Sequence, residues 1–211
     1  MTSRGGRSQG GRGAERGNSP MKRRFPYDVA AQVAAELREA LERYCQRFIV
    51  AGSFRRHKPD VGDLEILYIT KTCVKQDPKD MFAALTINVA DAEIAWLEAG
   101  GVLKRRLNAL GREVFGPKNK LMVHAATGLP VDLFAATKEN WWNYLVCRTG
   151  PAENNVRIAA AARAMGWKWN PYGPGFTRLE PRPEGGNRAV MGSEREVFDF
   201  VGLPWLEPEN R

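Results

Sequence analysis

The chain has 211 residues, of which 43% are hydrophobic, and a formal net charge of +8, which suits one domain or a domain with a small second lobe. No apolar run is long enough to cross a membrane, and the N-terminus lacks the apolar segment of a secretory signal peptide. Three widely spaced cysteines, Cys45, Cys73 and Cys147, predict free thiols in a reducing compartment, so we expect a cytoplasmic or nucleoid-associated protein that is not secreted.

The basic charge is concentrated at the N-terminus. Residues 1–24 carry seven Arg or Lys residues and one Glu, a net charge of +6. Residues 1–21 contain too little apolar surface to fold, so we expect a disordered Arg/Gly-rich arm. Such an arm suits a nucleic acid, and a leader without function is an equally good interpretation. The candidate nucleic-acid ligands of the arm are Arg4, Arg7, Arg12 and Arg16.

The next predicted elements lead to a short polar window. Apolar residues at helical spacing predict a helix over residues 28–45. A strand over 47–51, a tight turn at Gly52-Ser53 and a basic loop lead to a second strand, which opens at Asp63 and ends at residue 70. A polar loop over 71–80 and a short helix over 90–97 follow.

Two carboxylates open the second strand. Asp63 and Glu65 are two residues apart, so their side chains point to one face, with Leu64 buried behind them. Adjacent carboxylates repel, and a cation between them removes the repulsion. Oxygen ligands favour Mg²⁺, which takes further ligands from the phosphates of a substrate. Gly52 permits close approach to a ligand and Ser53 can bind phosphate oxygens. The window therefore predicts a metal site beside a phosphate site, whereas either piece alone is more often a solvated strand edge or a simple turn.

The rest of the chain predicts more strands and then a mainly helical region. Partial alternation over 102–115 and 120–134 predicts strands of one antiparallel or mixed sheet, the last of which carries Asp132. Beyond it we expect helices, short strands and a final helix opened by a capping box at Ser193. These elements cover residues 138–148, 151–165, 167–172, 176–179, 189–191 and 193–201.

Several motifs together resemble the family X DNA polymerases, the DNA polymerase β group. Gly52-Ser53-Phe54-Arg55-Arg56 followed by Gly62-Asp63-Leu64-Glu65 is similar to the family signature in content and spacing. Thr149-Gly150-Pro151 with Asn155 resembles the family's Thr-Gly-Ser turn and base-contacting Asn. The family's Gly-Ser bond is cis, and a cis bond costs only about 0.5–1 kcal/mol before proline. The resemblance extends from about Arg24 to Arg211.

The resemblance implies an α+β fold. We expect a nucleotidyltransferase palm, a mixed sheet flanked by helices, over residues 22–136. A small α/β thumb-like subdomain that binds nucleotide and template follows over 137–211, and the arm over 1–21 precedes the palm. The chain offers no room for the family's N-terminal lyase domain, so we expect no deoxyribose-phosphate lyase activity.

The resemblance also implies a function and a set of site residues. We expect two-metal-ion transfer of a nucleotide to a primer 3′-hydroxyl, with short-gap filling in DNA repair, by a monomer that binds gapped or primer-template DNA and nucleoside triphosphates. Asp63, Glu65 and Asp132 would be catalytic and would hold two Mg²⁺ ions, with Mn²⁺ as a substitute. The nucleotide ligands would be Arg24, Gly52, Ser53, Arg56, Gly62, Gly150 and Asn155.

The sequence departs from the family pattern in the predicted site. Glu65 replaces an Asp, which a nucleotidyltransferase also accepts. Cys147-Arg148 replaces the Tyr-Phe pair that disfavours ribonucleotides, so we expect weak sugar selectivity. Pro171 and Ala159 replace a Glu and an Arg that sense the nascent pair, and Arg157 is a candidate substitute. Two alternatives remain open: a template-independent terminal or RNA-tailing nucleotidyltransferase, and a catalytically silent nucleic-acid-binding module.

Overall fold

The computed structural model describes residues 23–77 and 80–211. The predicted arm over 1–21, with Arg4, Arg7, Arg12 and Arg16, lies outside these residues. The N-terminal two thirds of the described chain contains nine strands and three helices. In chain order they are β1 (Phe25–Pro26), α1 (Tyr27–Leu41), β2 (Cys45–Val50), α2 (Gly52–Arg55), β3 (Asp60–Val61), β4 (Leu64–Thr70), β5 (Thr72–Asp77), β6 (Asp80–Asn88), α3 (Val89–Ala99), β7 (Leu103–Arg105), β8 (Asn119–His124) and β9 (Pro130–Ala135).

A five-stranded mixed sheet organises this part of the molecule. Its strand order is β2-β4-β9-β8-β7, and the central pair β4 and β9 is parallel while the other pairs are antiparallel. Side chains alternate between the two faces, as strand geometry requires. Leu64, Ile66 and Tyr68 of β4 pack with α1 and α3 on one face, and Leu67 and Ile69 pack with α4 (Trp141–Thr149) on the other. The predicted mixed sheet flanked by helices is confirmed.

The C-terminal part has its own apolar cluster. After α4 come α5 (Ala152–Ala164), β10 (Trp167–Asn170), β11 (Gly175–Arg178), β12 (Arg188–Ala189) and α6 (Glu194–Phe200). The three strands form an antiparallel sheet in the order β10-β11-β12. Ile158, Phe176 and Phe198 are completely or almost completely buried at the centre of the cluster. The α+β fold expected from the sequence is confirmed, including a small helix-and-strand region at the C-terminus.

Three local expectations are wrong. The predicted polar loop over 71–80 is the start of a β5–β6 hairpin, because its polar side chains occupy exposed strand positions. The turn at Gly52 is the one-turn helix α2, whose first residue has a φ of +66°. The strand predicted over 102–115 ends at Arg105, because Asn108 accepts hydrogen bonds from two backbone amides and closes a turn.

Two further features concern the cysteines and the hydropathy of the helices. Cys45, Cys73 and Cys147 are all unbridged. Within the part of the chain that the structure describes, no helix combines the length and the hydropathy needed to span a bilayer.

Candidate functional site

The predicted carboxylates lie on neighbouring strands of the mixed sheet. Glu65 of β4 is the direct cross-strand partner of Asp132 of β9. Directly paired residues project from the same face of a sheet. Asp63 precedes β4 by one residue, and Leu64 between the two acids is completely buried. The fold therefore brings Glu65 and Asp132 side by side, with Asp63 two residues from Glu65 in the chain.

Two arginines bind these carboxylates. Arg148 of α4 donates from Nη1 to Glu65 Oε1 at 3.1 Å, and its guanidinium lies 3.6 Å from the centre of the Phe134 ring. Arg106, which follows β7, donates to Asp132. Arg148 was expected, with Cys147, in the place of the Tyr-Phe pair, and no role was predicted for Arg106. A run of three basic residues before a turn gives no signal of which carboxylate one of them will reach.

The environment of Glu65 raises its pKa to about 7, from an ordinary value of 4.5. Burial is the main cause, because a charged carboxylate loses its hydration there. The positive charge of Arg148 opposes the shift, and the negative charges of Asp63 and Asp132 add to it. The three carboxylates therefore interact electrostatically. A bound proton or a nearby cation would stabilise the cluster.

The donor set fits a divalent metal ion by its chemistry. Three carboxylates supply the oxygen ligands that Mg²⁺ and Mn²⁺ prefer, and the negative charges of Asp63 and Asp132 add to the rise in the pKa of Glu65 that burial causes. In this structure guanidinium groups supply that charge. Among the described residues, no group of three His, Cys, Asp or Glu side chains is arranged to hold a metal ion. Glu65 and Asp132 each accept a hydrogen bond from an arginine through one carboxylate oxygen.

A cleft of about 380 Å³ opens beside the carboxylates. It brings together six of the seven predicted nucleotide ligands and four other predicted site residues. They are Arg24, Ser53, Arg56, Gly62, Asp63, Glu65, Cys147, Arg148, Gly150 and Asn155. The cleft is not lined by Gly52, Asp132 or Arg157, whereas it is lined by Tyr172, for which no role was predicted. The cleft therefore joins the end of the sheet to the N-terminus of α5.

Gly52 has a steric role at the base of the cleft. Its φ of +66° is a conformation that a residue with a side chain rarely adopts. A Cβ at this position would also lie 2.7 Å from Glu65 Oε2. Glycine is therefore the residue that permits α2 to begin directly beside the carboxylate.

Several predicted nucleotide ligands have protein partners in the cleft. Arg56 donates to the backbone carbonyl of Thr149, and burial lowers its pKa. Arg24 forms a 2.6 Å ion pair with Asp60, and Asn155 donates to the carbonyl of Cys147 at 2.8 Å. The bond between Gly150 and Pro151 is cis, as in the motif that it resembles. These contacts place the three side chains at the rim of the cleft and engage them within the protein.

Comparisons with known proteins agree with the motifs. Residues 144–211 match a protein-family model described as DNA polymerase beta thumb. The chain is 26% identical over 199 residues to the DNA polymerase/3'-5' exonuclease PolX of Bacillus subtilis (strain 168). That match covers 93% of this chain and 30% of the relative, so the chain spans less than a third of the relative's length.

Solved structures show the same fold. A crystal structure of Leishmania infantum polymerase beta, described as a ternary P/T complex, superposes with a TM-score of 0.69 at 21% identity, covering 90% of this chain and 77% of that one. A ternary gap complex of the same polymerase gives 0.69 at 20% identity, with 90% and 71% covered. The predicted resemblance of the chain to family X DNA polymerases is confirmed by these matches together.

Proposed function

We propose that the chain is a DNA-directed nucleotidyltransferase that extends a primer 3′-hydroxyl, with short gaps in damaged DNA as its natural substrate. The observation that carries the proposal is the pairing of Glu65 with Asp132 beside the cleft that Ser53 and Arg56 line. The likeness to the Bacillus subtilis relative and to the polymerase beta fold supports the same chemistry.

The reaction is an in-line attack of the 3′-hydroxyl on the α-phosphorus of a nucleoside triphosphate. The protein contributes positioning and charge stabilisation rather than covalent chemistry. Asp63, Glu65 and Asp132 would hold two Mg²⁺ ions, for which Mn²⁺ can substitute. Such ions, when bound, lower the pKa of the attacking hydroxyl and stabilise the charge of the leaving pyrophosphate. Asp132 would lie nearest the primer end and accept the hydroxyl proton.

The triphosphate would lie along the α2 side of the cleft. Ser53, Arg56 and Arg24 would donate to the phosphate oxygens, together with the backbone at Gly52, Gly62 and Gly150. Asn155, at the opposite wall, would donate to the edge of the incoming base. Since Arg24 and Arg56 have protein partners in the structure, we infer that both arginines exchange these partners when the triphosphate binds.

Cys147 and Arg148 also line the cleft, and they would lie between the phosphates and the base of the bound nucleotide. Neither side chain has the aromatic bulk of the Tyr-Phe pair, so we propose that the site accepts ribonucleotides as well as deoxynucleotides. Because Arg148 forms an ion pair with Glu65, we infer that the Arg148 side chain moves away from Glu65 when the nucleotide binds.

A single-turnover incorporation assay tests the proposal. Gapped, recessed and single-stranded DNA are each offered dNTP or NTP with Mg²⁺ or Mn²⁺, and one added nucleotide is measured on a gel. We expect template-directed addition to the gapped substrate, and Asp132→Asn should reduce its rate at least about 100-fold while triphosphate binding is retained.

The matched control is Asp199→Asn, which removes an exposed carboxylate of α6. It should extend the primer at the wild-type rate. Equal rates for Asp132→Asn and wild type would contradict the proposed catalytic role. Addition of nucleotides to single-stranded DNA without a template would instead identify a terminal transferase. The absence of addition on every substrate would favour a catalytically silent nucleic-acid-binding module.

A further inference from the structure

The β5–β6 hairpin forms a sheet of its own, separate from the main sheet. Within the described chain, β5 and β6 pair only with each other. Among their described side chains only Cys73, Ile87 and Asn88 are half-buried, and the others are exposed. A two-stranded hairpin is marginally stable in water unless a third strand or a packed helix supports it. The exposed part of this hairpin therefore lacks the support that such an element needs.

The base of the hairpin is bonded to the body of the protein. The amide of Lys71 donates to the carbonyl of Tyr44 at 2.8 Å, and the amide of Val89 donates to the carbonyl of Lys71 at 3.0 Å. The amide of Ala90 donates to the hydroxyl of Thr70 at 3.1 Å. These bonds fix the place where the two strands leave the body, so the exposed residues project from a defined base.

The bond between Val89 and Lys71 also determines which backbone groups of β6 face outward. The two residues continue the register of the hairpin, and hydrogen-bonded pairs alternate with non-bonded pairs along an antiparallel ladder. Leu85 therefore bonds to β5, whereas the amides and carbonyls of Ala84 and Thr86 point away from β5. Since β6 has no second neighbouring strand in the described chain, these groups form a free strand edge.

The sequence of β6 provides none of the usual protection of a free edge. Residues 81–88 contain no charged residue, proline or glycine, although 27% of the chain is charged. The irregularity in the register lies near the tip of the hairpin, between Gln76 and Asp77, and the pairing from Ala84 to Asn88 is regular. Natural edges are blocked by charges, prolines or bulges, and an uncharged β segment on a free edge tends to pair with another chain.

One face of the hairpin is also apolar and uncharged. Phe82 is 96% exposed and Val74 is 71% exposed. Val74 pairs directly with Thr86, and alternation along β6 places Phe82, Ala84 and Thr86 on one face. A contiguous exposed apolar patch of this kind marks an interaction surface.

A second copy of the chain is the partner that suits this edge. Nucleic acid is disfavoured, because residues 81–88 offer no Lys or Arg to a phosphate. A two-fold axis through a strand brings each residue near its own copy, so a charged strand would repel itself and an uncharged one does not. Antiparallel pairing of two β6 strands also satisfies the outward amides and carbonyls of both copies and produces a four-stranded sheet.

The course of the chain leaves room for this pairing. β6 runs from the hairpin tip toward the body, so antiparallel pairing centred on Ala84 places the two bodies at opposite ends of the shared sheet. The two copies of Asn88 would then lie about 27 Å apart along the strands. Glu65 precedes Thr70, the end of β4 from which the hairpin leaves, by five residues, or about 17 Å. The candidate site therefore lies away from the shared sheet.

We propose that β6 is a dimerisation strand, which pairs antiparallel with β6 of a second copy to form a continuous four-stranded sheet. The apolar face then extends across the two-fold axis, with Phe82 of one copy beside Thr86 of the other. Single strands of this length form an interface at the small end of the known range, so we expect a reversible dimer with a Kd of about 1–100 μM. The proposal does not depend on the proposed function, and it differs from the monomer that the resemblance implies.

Sedimentation equilibrium of the full chain, in EDTA and after removal of residual nucleic acid, tests the proposal. The mass of wild type should rise from 23.6 kDa to twice that value as the concentration passes the Kd. Ala84→Lys places two ammonium groups directly opposite each other at the two-fold axis, so it should weaken association about tenfold or more. The matched control is Gln76→Lys. It adds the same charge to the cross-strand partner of Ala84 on β5, away from the axis, and should associate like wild type.

Amide hydrogen exchange distinguishes pairing along the edge from other modes of association. The amides of Ala84 and Thr86 should exchange about tenfold more slowly well above the Kd than well below it, because pairing covers them. A mass of 23.6 kDa at every concentration up to about 500 μM, or a dimer in which these two amides exchange at an unchanged rate, would overturn the proposal. Equal association of wild type and Ala84→Lys would also overturn it. A dimer with protected edge amides would support it even in a protein that adds no nucleotide.

Discussion

Glu65 is largely buried and lies near two other carboxylates, those of Asp63 and Asp132. Its carboxylate accepts from Arg148, yet burial and the neighbouring negative charges still raise its pKa to about 7. A site that collects like charges costs folding stability, because each ionised group makes the next one harder to ionise. We therefore expect Glu65, which is part of the candidate site, to reduce the stability of the fold at neutral pH.

The raised pKa predicts a pH-dependent stability. The folded-state pKa of about 7 lies above the ordinary 4.5, so the stabilisation from protonated Glu65 is complete below about pH 4.5 and is lost as the pH rises to 7. Glu65→Gln removes this titration. In EDTA, the free energy of unfolding of wild type relative to Glu65→Gln should fall by about 3 kcal/mol between pH 4.5 and pH 8, measured by urea denaturation.

Glu113→Gln is the control for Glu65→Gln, because it removes a carboxylate that is not buried. Glu113 has a side chain that is 56% exposed, so Glu113→Gln should show no comparable pH-dependent difference from wild type. Parallel stability profiles for wild type and Glu65→Gln would contradict a raised pKa at Glu65.

The same residues show how far the sequence predicts the site. Asp63 and Glu65 could be placed on one face because strand periodicity is local, whereas Asp132 was selected through the resemblance to the family X palm. The arginines could not be assigned to their partners. Arg148 is 83 residues from Glu65 in the chain, and Arg106 is 26 residues from Asp132. The partner of such a long side chain is determined by how the strands and helices pack.

At the scale of elements, an ion-pair network joins three separate segments. Arg55 of α2 donates to Glu194 of α6 at 2.6 Å and to Thr149 at the end of α4 at 2.7 Å. Arg211, whose side chain is fully buried, binds the same Glu194 carboxylate at 3.4 Å. Glu194 is 8% exposed and therefore compensates two guanidinium groups away from water.

Loss of the central carboxylate should be costly. Glu194→Gln leaves two partly or wholly buried guanidinium groups without their counter-charge, so we expect a loss of about 3 kcal/mol in the free energy of unfolding. Urea denaturation at pH 7.5 measures it. The comparison is Asp60→Asn, since the Arg24–Asp60 pair is about half exposed on both sides and should contribute at most about 1 kcal/mol. Similar losses in both variants would refute the special role of the buried network.

Elements were predictable where local chemistry defines them. Ser193 was expected to open a helix, and its hydroxyl accepts from the amide of Glu196 at 3.1 Å. The β5–β6 hairpin was missed because β5 is largely polar and the described side chains of both strands are mostly exposed, so the burial on one face that identifies a half-buried strand is absent. Only the pairing of the two strands with each other, for example Val74 with Thr86, reveals it.

At the scale of the whole molecule, most of the net positive charge lies in a different part of the chain from the candidate site. Residues 1–24 hold a net charge of +6 of the total +8. The arginines closest to the carboxylates are engaged in ion pairs. Attraction for a polyanion should therefore come mainly from the arm, while the described body would position the substrate through the cleft. The arm joins the body at Arg23 and Arg24, and Arg24 lines the cleft.

Deletion of residues 1–18 tests this division. It removes Arg4, Arg7, Arg12 and Arg16 with one Glu. Each phosphate contact contributes about 0.9 to the slope of log K against log salt on duplex DNA, so the slope should fall by about three. Binding at low salt should weaken strongly, while the free energy of unfolding stays unchanged. A full-length variant with the four arginines replaced by lysine keeps the charge and should bind like wild type. If the truncated protein bound gapped DNA with wild-type affinity at both low and high salt, the arm would have no part in binding, and the body alone would have to hold the duplex.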